Sequence, residues 1–309
     1  MTNSSLNVPA IKPETLALFG TVRASERRKF FRRLWHLKGG LAGTIVTLLI
    51  ILIGVLAPWL TPHDPLTGYM LDRLKPPLFL GGTTQYLLGT DQLGRDVLSR
   101  LILGTRVSLE AGMSSTIIAA IVGVALGLLA GYFSGAIDWL ISSLVNVMLA
   151  FPFVLLALAV IAALGPNFRN LVIVMALTAW PIYTRVIRSQ IRTIREQEFV
   201  TAARVIGANH FRIMLRHGLP NVVNGIIVIA SLQVAQLIIL ESFLSFLGVG
   251  VQPPTPSWGN MLGNSRTYMF DRWWLAAFPG IAIFVTTLAI NLMGDGLRDL
   301  IDPHSRNTI

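Results

Sequence analysis

The sequence contains no cysteine, and only 13% of its 309 residues are charged. The absence of cysteine excludes disulfide bonds and thiolate metal sites but does not identify a cellular compartment. Ordinary soluble domains have roughly 25% charged residues. The low charge, with 53% hydrophobic residues and a mean hydropathy of +0.64, argues against a soluble globular enzyme and against a disordered protein.

Motifs of common catalytic sites are also missing. A phosphate loop requires Gly-Lys followed by Ser or Thr, but each lysine is followed by Pro, Phe or Gly. No histidine precedes a glutamate, so the zinc-protease helix is absent, and there is no Gly-x-Ser-x-Gly elbow. We therefore predict a chain without a catalytic site, a metal or a cofactor of its own; an intramembrane enzyme has no supporting residues.

Long intervals without Asp, Glu, Lys or Arg predict the membrane crossings. About 20 apolar residues span a bilayer as a helix. The uncharged interval 242–265 is rejected as a span because its prolines and glycines break a helix. Six spans are left, at about residues 41–60, 111–132, 139–164, 170–188, 221–243 and 274–294. We predict an all-α membrane protein with a transmembrane domain over 41–297, between tails 1–40 and 298–309.

The charge distribution predicts the topology. A net charge of +10 would suggest nucleic acid for a soluble protein, but here the cations flank apolar runs. Six spans place both termini on one side, which carries seventeen Lys and Arg residues against eight on the other side. The positive-inside rule therefore places both termini in the cytoplasm, and no nucleic-acid partner is expected.

The basic segment 27–38 precedes the first span. Phe30, Phe31, Leu34 and Trp35 are at helical spacing among its cations. This pattern is typical of an amphipathic helix on the inner leaflet. It is equally typical of a basic flank that sets topology, and the two interpretations are compatible.

The longest cytoplasmic connection, residues 194–220, has small residues within a basic, helical pattern. Gly207 can end one short helix in a left-handed conformation, so that a second helix begins near Asn209. Ala202 and Ala203 would let a partner protein approach the resulting projection closely. The alternative is an amphipathic loop on the membrane surface.

Four segments of the sequence resemble the C-type permease subunit of dipeptide/oligopeptide ABC importers: residues 88–109, 194–221, 244–262 and 291–303. The first contains Leu-Gly-Thr-Asp-Gln-Leu-Gly-Arg-Asp and the third contains Leu-Ser-Phe-Leu-Gly-Val-Gly-Val-Gln-Pro-Pro. The family's loop pattern is Glu-Ala-Ala-x3-Gly-x9-Ile-x-Leu-Pro. This chain matches it at Ala202, Ala203, Gly207, Leu219 and Pro220, and departs from it at Thr201 and His217.

The resemblance implies a type I ABC-importer permease fold in a bacterial cytoplasmic (inner) membrane. It implies three kinds of partner besides the bilayer: a homologous B-type permease, one or two ABC ATPase subunits that bind ATP and Mg²⁺, and an extracytoplasmic substrate-binding protein. The ATPase contacts are expected in the coupling loop 194–220, at Thr201, Ala202, Ala203, Gly207 and Arg212. Substrates of such permeases include di- and oligopeptides, nickel chelates, opines and oligosaccharides. A secondary transporter driven by an ion gradient is the alternative outside the family.

Three residues toward the outer side carry further expectations. Glu241 follows 24 uncharged residues at the outer end of the fifth span. A carboxylate there needs a polar partner, a water-filled cavity or the interface. It either lines the translocation path, where it could meet a peptide's amino terminus, or makes a structural hydrogen bond. Gln252 and Trp258 belong to a proline-rich loop that either faces the binding protein or forms a rigid re-entrant plug.

The segment before the second span is predicted to be a capped helix at the outer interface. Asp91 can cap the turn that precedes Asp96. Asp96 and Arg100 are four residues apart, which predicts an ion pair on one helix face.

Overall fold

The computed structural model describes residues 38–301, and in this range the chain is built from helices with no β-sheet. Two single 3₁₀ turns, Met70–Asp72 and Leu78–Leu80, lie in the segment between the first two helices. The helices are α1 Lys38–Leu60, α2 Val97–Tyr132, α3 Ala136–Ala150, α4 Phe153–Leu164, α5 Phe168–Arg195, α6 Glu198–Val205, α7 His210–Ile213, α8 Leu219–Phe246, α9 Trp258–Ser265 and α10 Trp274–Ile301. The predicted all-α fold class is confirmed.

Five helical stretches among the described residues are long and apolar enough to cross a membrane. They are α1, α2, α5, α10 and the stretch from α7 through a π-helical turn (Met214–Gly218) into α8. The pair α3–α4 gives a sixth crossing if the two helices are counted as one span, and they meet at a bend of 91°.

The third predicted span, 139–164, is therefore not the continuous helix that the sequence suggested. The break falls at Phe151, whose backbone is extended (φ −81°, ψ 132°), and Pro152 precedes α4. A proline disfavours the helical conformation of the residue before it. The uncharged interval hid this break because proline carries no charge.

The second predicted span, 111–132, is the last part of a longer helix. Helix α2 begins at Val97, and the Asp96 side chain accepts a hydrogen bond from the backbone N–H of Ser99 at its N-terminus. Glu110, which bounds the uncharged interval, forms an exposed i, i+4 ion pair with Arg106, and neither residue interrupts the helix.

Close contact between α2 and α5 forms the centre of the bundle. Gly123, Gly127 and Gly131 lie four residues apart on α2, and α5 packs directly over them. A Cβ atom added to Gly127 would lie 2.8 Å from the Ile187 Cβ. Small residues at this spacing let membrane helices approach closely enough for backbone contact, and Thr184 Oγ1 donates a hydrogen bond to the Gly123 carbonyl.

The bundle has two ends with different structures. One end carries residues 196–218, the beginning of α1 and the C-terminal ends of α2, α5 and α10. The other end carries the ordered segment 61–96, helix α9 and the beginning of α10. The expected amphipathic helix falls almost wholly within residues 1–37, and most of the C-terminal tail lies beyond residue 301, so both are outside the described residues.

Candidate partner-docking surface

Residues 198–218 form a compact projection, which we call the docking knob. Helix α6 ends at Val205, and Gly207 follows with φ +83°. Asn209 then precedes α7, and its side chain accepts a hydrogen bond from the Arg212 N–H at 2.7 Å. The left-handed Gly207 between two short helices confirms the predicted geometry, because few other residues adopt this conformation without strain.

The inner side of the docking knob is anchored in the bundle. Val200, Ala203, Ile213 and Met214 are buried there. They belong to an apolar cluster whose other buried members come from α2, α5 and α8: Leu128, Tyr132, Ile187, Ile191 and Val222. The knob therefore shares one apolar core with three long helices.

The outer side of the docking knob exposes apolar side chains. Val205 and Ile206 are 83% and 84% exposed, and Phe211 is 65% exposed. Exposed apolar residues that are grouped together mark interaction surfaces. Sequence reasoning missed these three residues; the signal was present as two consecutive branched apolar residues directly before Gly207.

The predicted ATPase contacts divide between the two sides. Thr201, Ala202, Gly207 and Arg212 are exposed, with open space around the Gly207 Cα. Ala203 is only 5% exposed and packs inward. Ala203 is thus placed to hold the knob against the bundle, which differs from the expected contact with a partner.

A polar contact also joins the knob to α2. The Tyr132 hydroxyl and His210 Nδ1 are 2.8 Å apart, and the Arg204 guanidinium lies 5.7 Å from the centre of the Tyr132 ring.

Arginines of α5 contact the short connection between α2 and α3 and the residues on either side of it. Arg188 forms an ion pair with Asp138 through two hydrogen bonds, and the one from Nη2 to Oδ2 is 2.7 Å long. Arg195 donates a hydrogen bond to the Tyr132 carbonyl. Arg195 also donates to the Ser134 hydroxyl, so it brings a cation to a connection that has none of its own.

Glu241 is fully buried in the chain. Its carboxylate accepts hydrogen bonds from Ser245 at 2.7 Å and from Ser108, on α2, at 3.1 Å. The Trp258 N–H lies 3.4 Å from the same Ser108 hydroxyl, so the carboxylate connects α8, α2 and the start of α9. In this conformation Glu241 has the environment of a structural hydrogen-bond acceptor.

The two predicted loop residues are placed differently from each other. Trp258 is 1% exposed, and its indole N–H donates to the Leu101 carbonyl at 3.2 Å. This position is unlike the expected one facing a docking protein, because the capped start of α9 turns the ring inward. Gln252 is half-buried and donates to the Gly248 and Gly250 carbonyls. The exposed tip of the loop is Pro253–Thr255.

The segment 61–96 is held by buried polar contacts. Asp91 accepts from the Arg95 side chain at 2.7 Å and lies 3.5 Å from Arg100. The expected pair between Asp96 and Arg100 is wrong, because Asp96 caps α2 and Arg100 reaches back to Asp91 and to the Pro65 carbonyl.

A second polar cluster lies in the same segment. Tyr86 donates to Asp72 at 2.8 Å, and burial together with this bond raises the pKa of Tyr86 to about 12. The hydrogen bonds from Lys75 and Tyr86 hold the pKa of Asp72 below its ordinary value. Across residues 38–301, no three His, Asp or Glu side chains are grouped closely enough to hold a metal ion.

Comparison with known proteins gives matches over most of the chain. A family model described as "Binding-protein-dependent transport system inner membrane component" matches residues 123–307. Another, described as "N-terminal TM domain of oligopeptide transport permease C", matches residues 25–77. The Di/tripeptide transport system permease protein DppC of Pseudomonas aeruginosa is 44% identical over 306 residues, which are 99% of each chain.

Two further comparisons extend this result. The glutathione transport system permease protein GsiD of Pectobacterium atrosepticum is 41% identical over 276 residues, 89% of this chain and 90% of that protein. A solved inward-facing structure of the MetNI methionine ABC transporter matches with a TM-score of 0.53 and 16% identity, over 66% of this chain and 97% of that chain. At this identity the structural match demonstrates a shared fold alone.

Proposed function

The chain belongs to the family of inner membrane components of binding-protein-dependent transport systems, and from this premise we propose that it imports peptides as one half of a translocation pore. A second, homologous permease would supply the other half. The observation that carries the proposal is the structure of the docking knob. Its outer side exposes apolar side chains that a partner can bind, and its inner side is packed into the bundle, so movement of a bound partner would act on the bundle.

The source of that movement is a pair of cytosolic ATPase subunits that bind ATP and Mg²⁺. Val205, Ile206 and Phe211 bind the ATPase surface, and the closing of the ATPases displaces the knob. The displacement passes through Ala203 and Val200 into α2, α5 and α8, because these residues share one core. This chain hydrolyses nothing itself, and hydrolysis in the partners resets the conformation.

The orientation follows from charge. The arginines of α5 and of the docking knob lie at one end of the bundle, and this end faces the cytoplasm under the positive-inside rule. Both termini lie on the same side. The segment 61–96 and the tip Pro253–Thr255 then face outward, where an extracytoplasmic binding protein delivers the substrate. Cysteine labelling tests this orientation. A cysteine at Gln85 must react with a reagent that does not cross the membrane when the reagent is added from the outer side.

The substrate class is di- and oligopeptides. The support is that the relatives named above carry the names of di/tripeptide and glutathione permeases. Glu241 lies buried within the chain and hydrogen-bonds to the chain's own serines, so no role in substrate recognition is assigned to this carboxylate.

Reconstitution provides the test. The chain is purified with its second permease, ATPases and binding protein, and uptake of labelled dialanine into proteoliposomes is measured. We expect uptake that requires both ATP and the binding protein. Uptake by the chain alone under a proton or sodium gradient would contradict the proposal and favour a secondary transporter. ATP-dependent uptake of a nickel chelate or an oligosaccharide, with no peptide uptake, would contradict the substrate class only.

A further inference from the structure

An exposed apolar turn lies at the end of the bundle opposite the docking knob. The 3₁₀ turn Leu78–Leu80 consists of Leu, Phe and Leu, and all three side chains are exposed, with Phe79 at 60%. The turn belongs to the segment 61–96 between α1 and α2, which also exposes Tyr69, Met70 and Leu71. In a water-facing loop, three consecutive exposed apolar residues would be unfavourable.

The position of the turn is fixed by its contacts with α10. The Phe79 ring centre is 6.4 Å from that of Trp273, which directly precedes α10, and 6.4 Å from that of Phe278, in the second turn of α10. Phe79 therefore lies beside the first two turns of a membrane-spanning helix. Farther along α10, an exposed apolar stripe continues at Ile281, Phe284, Val285 and Leu288.

The turn is held in place by its own backbone. The Leu78 N–H donates to the Leu87 carbonyl at 3.1 Å, and the Leu80 N–H donates to the Pro77 carbonyl at 2.9 Å. Gly89 packs against the backbone of residues 75–77 so closely that a Cβ atom there would lie 2.4 Å from the Lys75 carbonyl oxygen. The apolar side chains are thus presented at a fixed level relative to α10.

The neighbouring residues have the composition of a membrane interface. Trp273 is half exposed, and Arg272 beside it is also exposed. Tryptophan is enriched at the level of lipid headgroups, and arginine there can reach phosphate groups. An apolar surface that is continuous with the stripe of a spanning helix, and is bordered by Trp and Arg, matches the boundary between headgroups and acyl chains.

We infer that Leu78–Leu80 and Trp273 insert into the lipid interface and anchor the segment 61–96 to the membrane surface. Under the topology proposed above this surface is the outer leaflet. The anchor would keep the ordered segment flat against the bilayer beside α10. The ligand is the lipid surface itself, and no specific lipid is required.

Spin labelling tests this inference, and the cysteine-free sequence makes it direct. A nitroxide is attached to Phe79→Cys, or to Leu80→Cys if the first variant does not fold. Ile281→Cys serves as the reference in the acyl chains. Gln85→Cys, at an exposed polar residue of the same segment, serves as the aqueous control. Collision rates with oxygen, which concentrates in lipid, and with a water-soluble nickel chelate are measured in phosphatidylethanolamine/phosphatidylglycerol nanodiscs.

We expect oxygen collisions to exceed nickel collisions at residues 79 and 80, as at Ile281, and the reverse at Gln85. The result should be the same for the chain alone and for the chain assembled with its partner subunits. Nickel collisions as frequent as at Gln85 would overturn the inference, because the turn would then lie in water. Loss of both kinds of collision on assembly would also overturn it, because the turn would then be a protein interface.

Discussion

The Tyr132 hydroxyl lies 2.8 Å from His210 Nδ1 and so connects the last turn of α2 to α7 in the docking knob. This contact is the polar counterpart of the apolar core beneath the knob, and the two together join α2 to the knob. Removal of this hydrogen bond should affect the coupling of transport to ATP hydrolysis more than it affects the stability of the fold.

We predict that Tyr132→Phe lowers the free energy of unfolding by only about 0.5–1.5 kcal/mol, the net value of a hydrogen bond. The ring still packs against Phe133 and His210. In the reconstituted complex, the ratio of peptide transported to ATP hydrolysed should fall. An unchanged ratio would mean that the apolar core alone transmits the motion.

Gly207→Val should strain the backbone by about 1–3 kcal/mol, because the residue keeps a positive φ that a β-branched side chain disfavours. No atom lies within 4 Å of the added Cβ, so steric overlap within the chain is not the cause. We expect uptake and binding-protein-stimulated ATP hydrolysis to fall together. Gly207→Asn is the control, since asparagine tolerates the left-handed conformation; equal activity of the two variants would contradict the role of this conformation.

Ile206→Ser and Phe211→Ser should weaken ATPase binding without destabilising the chain. Both side chains are largely exposed, so little buried area is lost in the isolated subunit. An apolar anchor in a protein interface contributes about 1.4 kcal/mol or more, which is a tenfold change in Kd. Co-purification of the ATPases measures the effect. Leu71→Ser, at a 97% exposed residue of the opposite end, is the matched control and should retain them.

Glu241→Leu should destabilise the protein by about 1–3 kcal/mol, because buried serine hydroxyls lose their acceptor. Glu241→Gln keeps an acceptor oxygen and should be milder. Thermal unfolding of the assembled transporter in detergent measures both. Normal stability of both variants combined with lost uptake would instead indicate that Glu241 contacts the substrate in another conformation.

Gly127→Ala should destabilise the bundle by about 1–3 kcal/mol through overpacking. The added methyl group would lie 3.0 Å from the Thr184 carbonyl oxygen as well as close to Ile187. Gly280→Ala on α10 is the control, because no atom lies within 4 Å of its Cβ position. There alanine should be neutral or stabilising, by up to about 1 kcal/mol from helix propensity. Equal melting temperatures would show that α2 and α5 can separate to accept the methyl group.

The sequence predicted the features that depend on neighbouring residues. Gly207 marked the turn between two short helices, and the second of them was expected to begin near Asn209, where the structure has its N-cap; the cap of α2 is Asp96, which the sequence analysis had instead paired with Arg100. Capping and left-handed glycine are decided within a few residues of chain, so the pattern suffices. The break at Phe151 was equally local, because Pro152 was visible in the sequence. It was missed because prolines were used to reject the interval 242–265 but the single proline within the interval 139–164 was not considered.

The sequence by itself therefore determined the class of the protein, an all-helical membrane protein, because its uncharged apolar intervals have the length of bilayer-spanning helices. It also determined that the basic end carries a loop with a glycine turn between two short helices. Only the tertiary structure decided which side chains face inward. Ala203 and Trp258 are buried, Arg100 pairs with Asp91, and Val205 and Ile206 are exposed. Each of these depends on contacts between residues far apart in the chain, because burial is a property of the packed bundle and not of the local sequence.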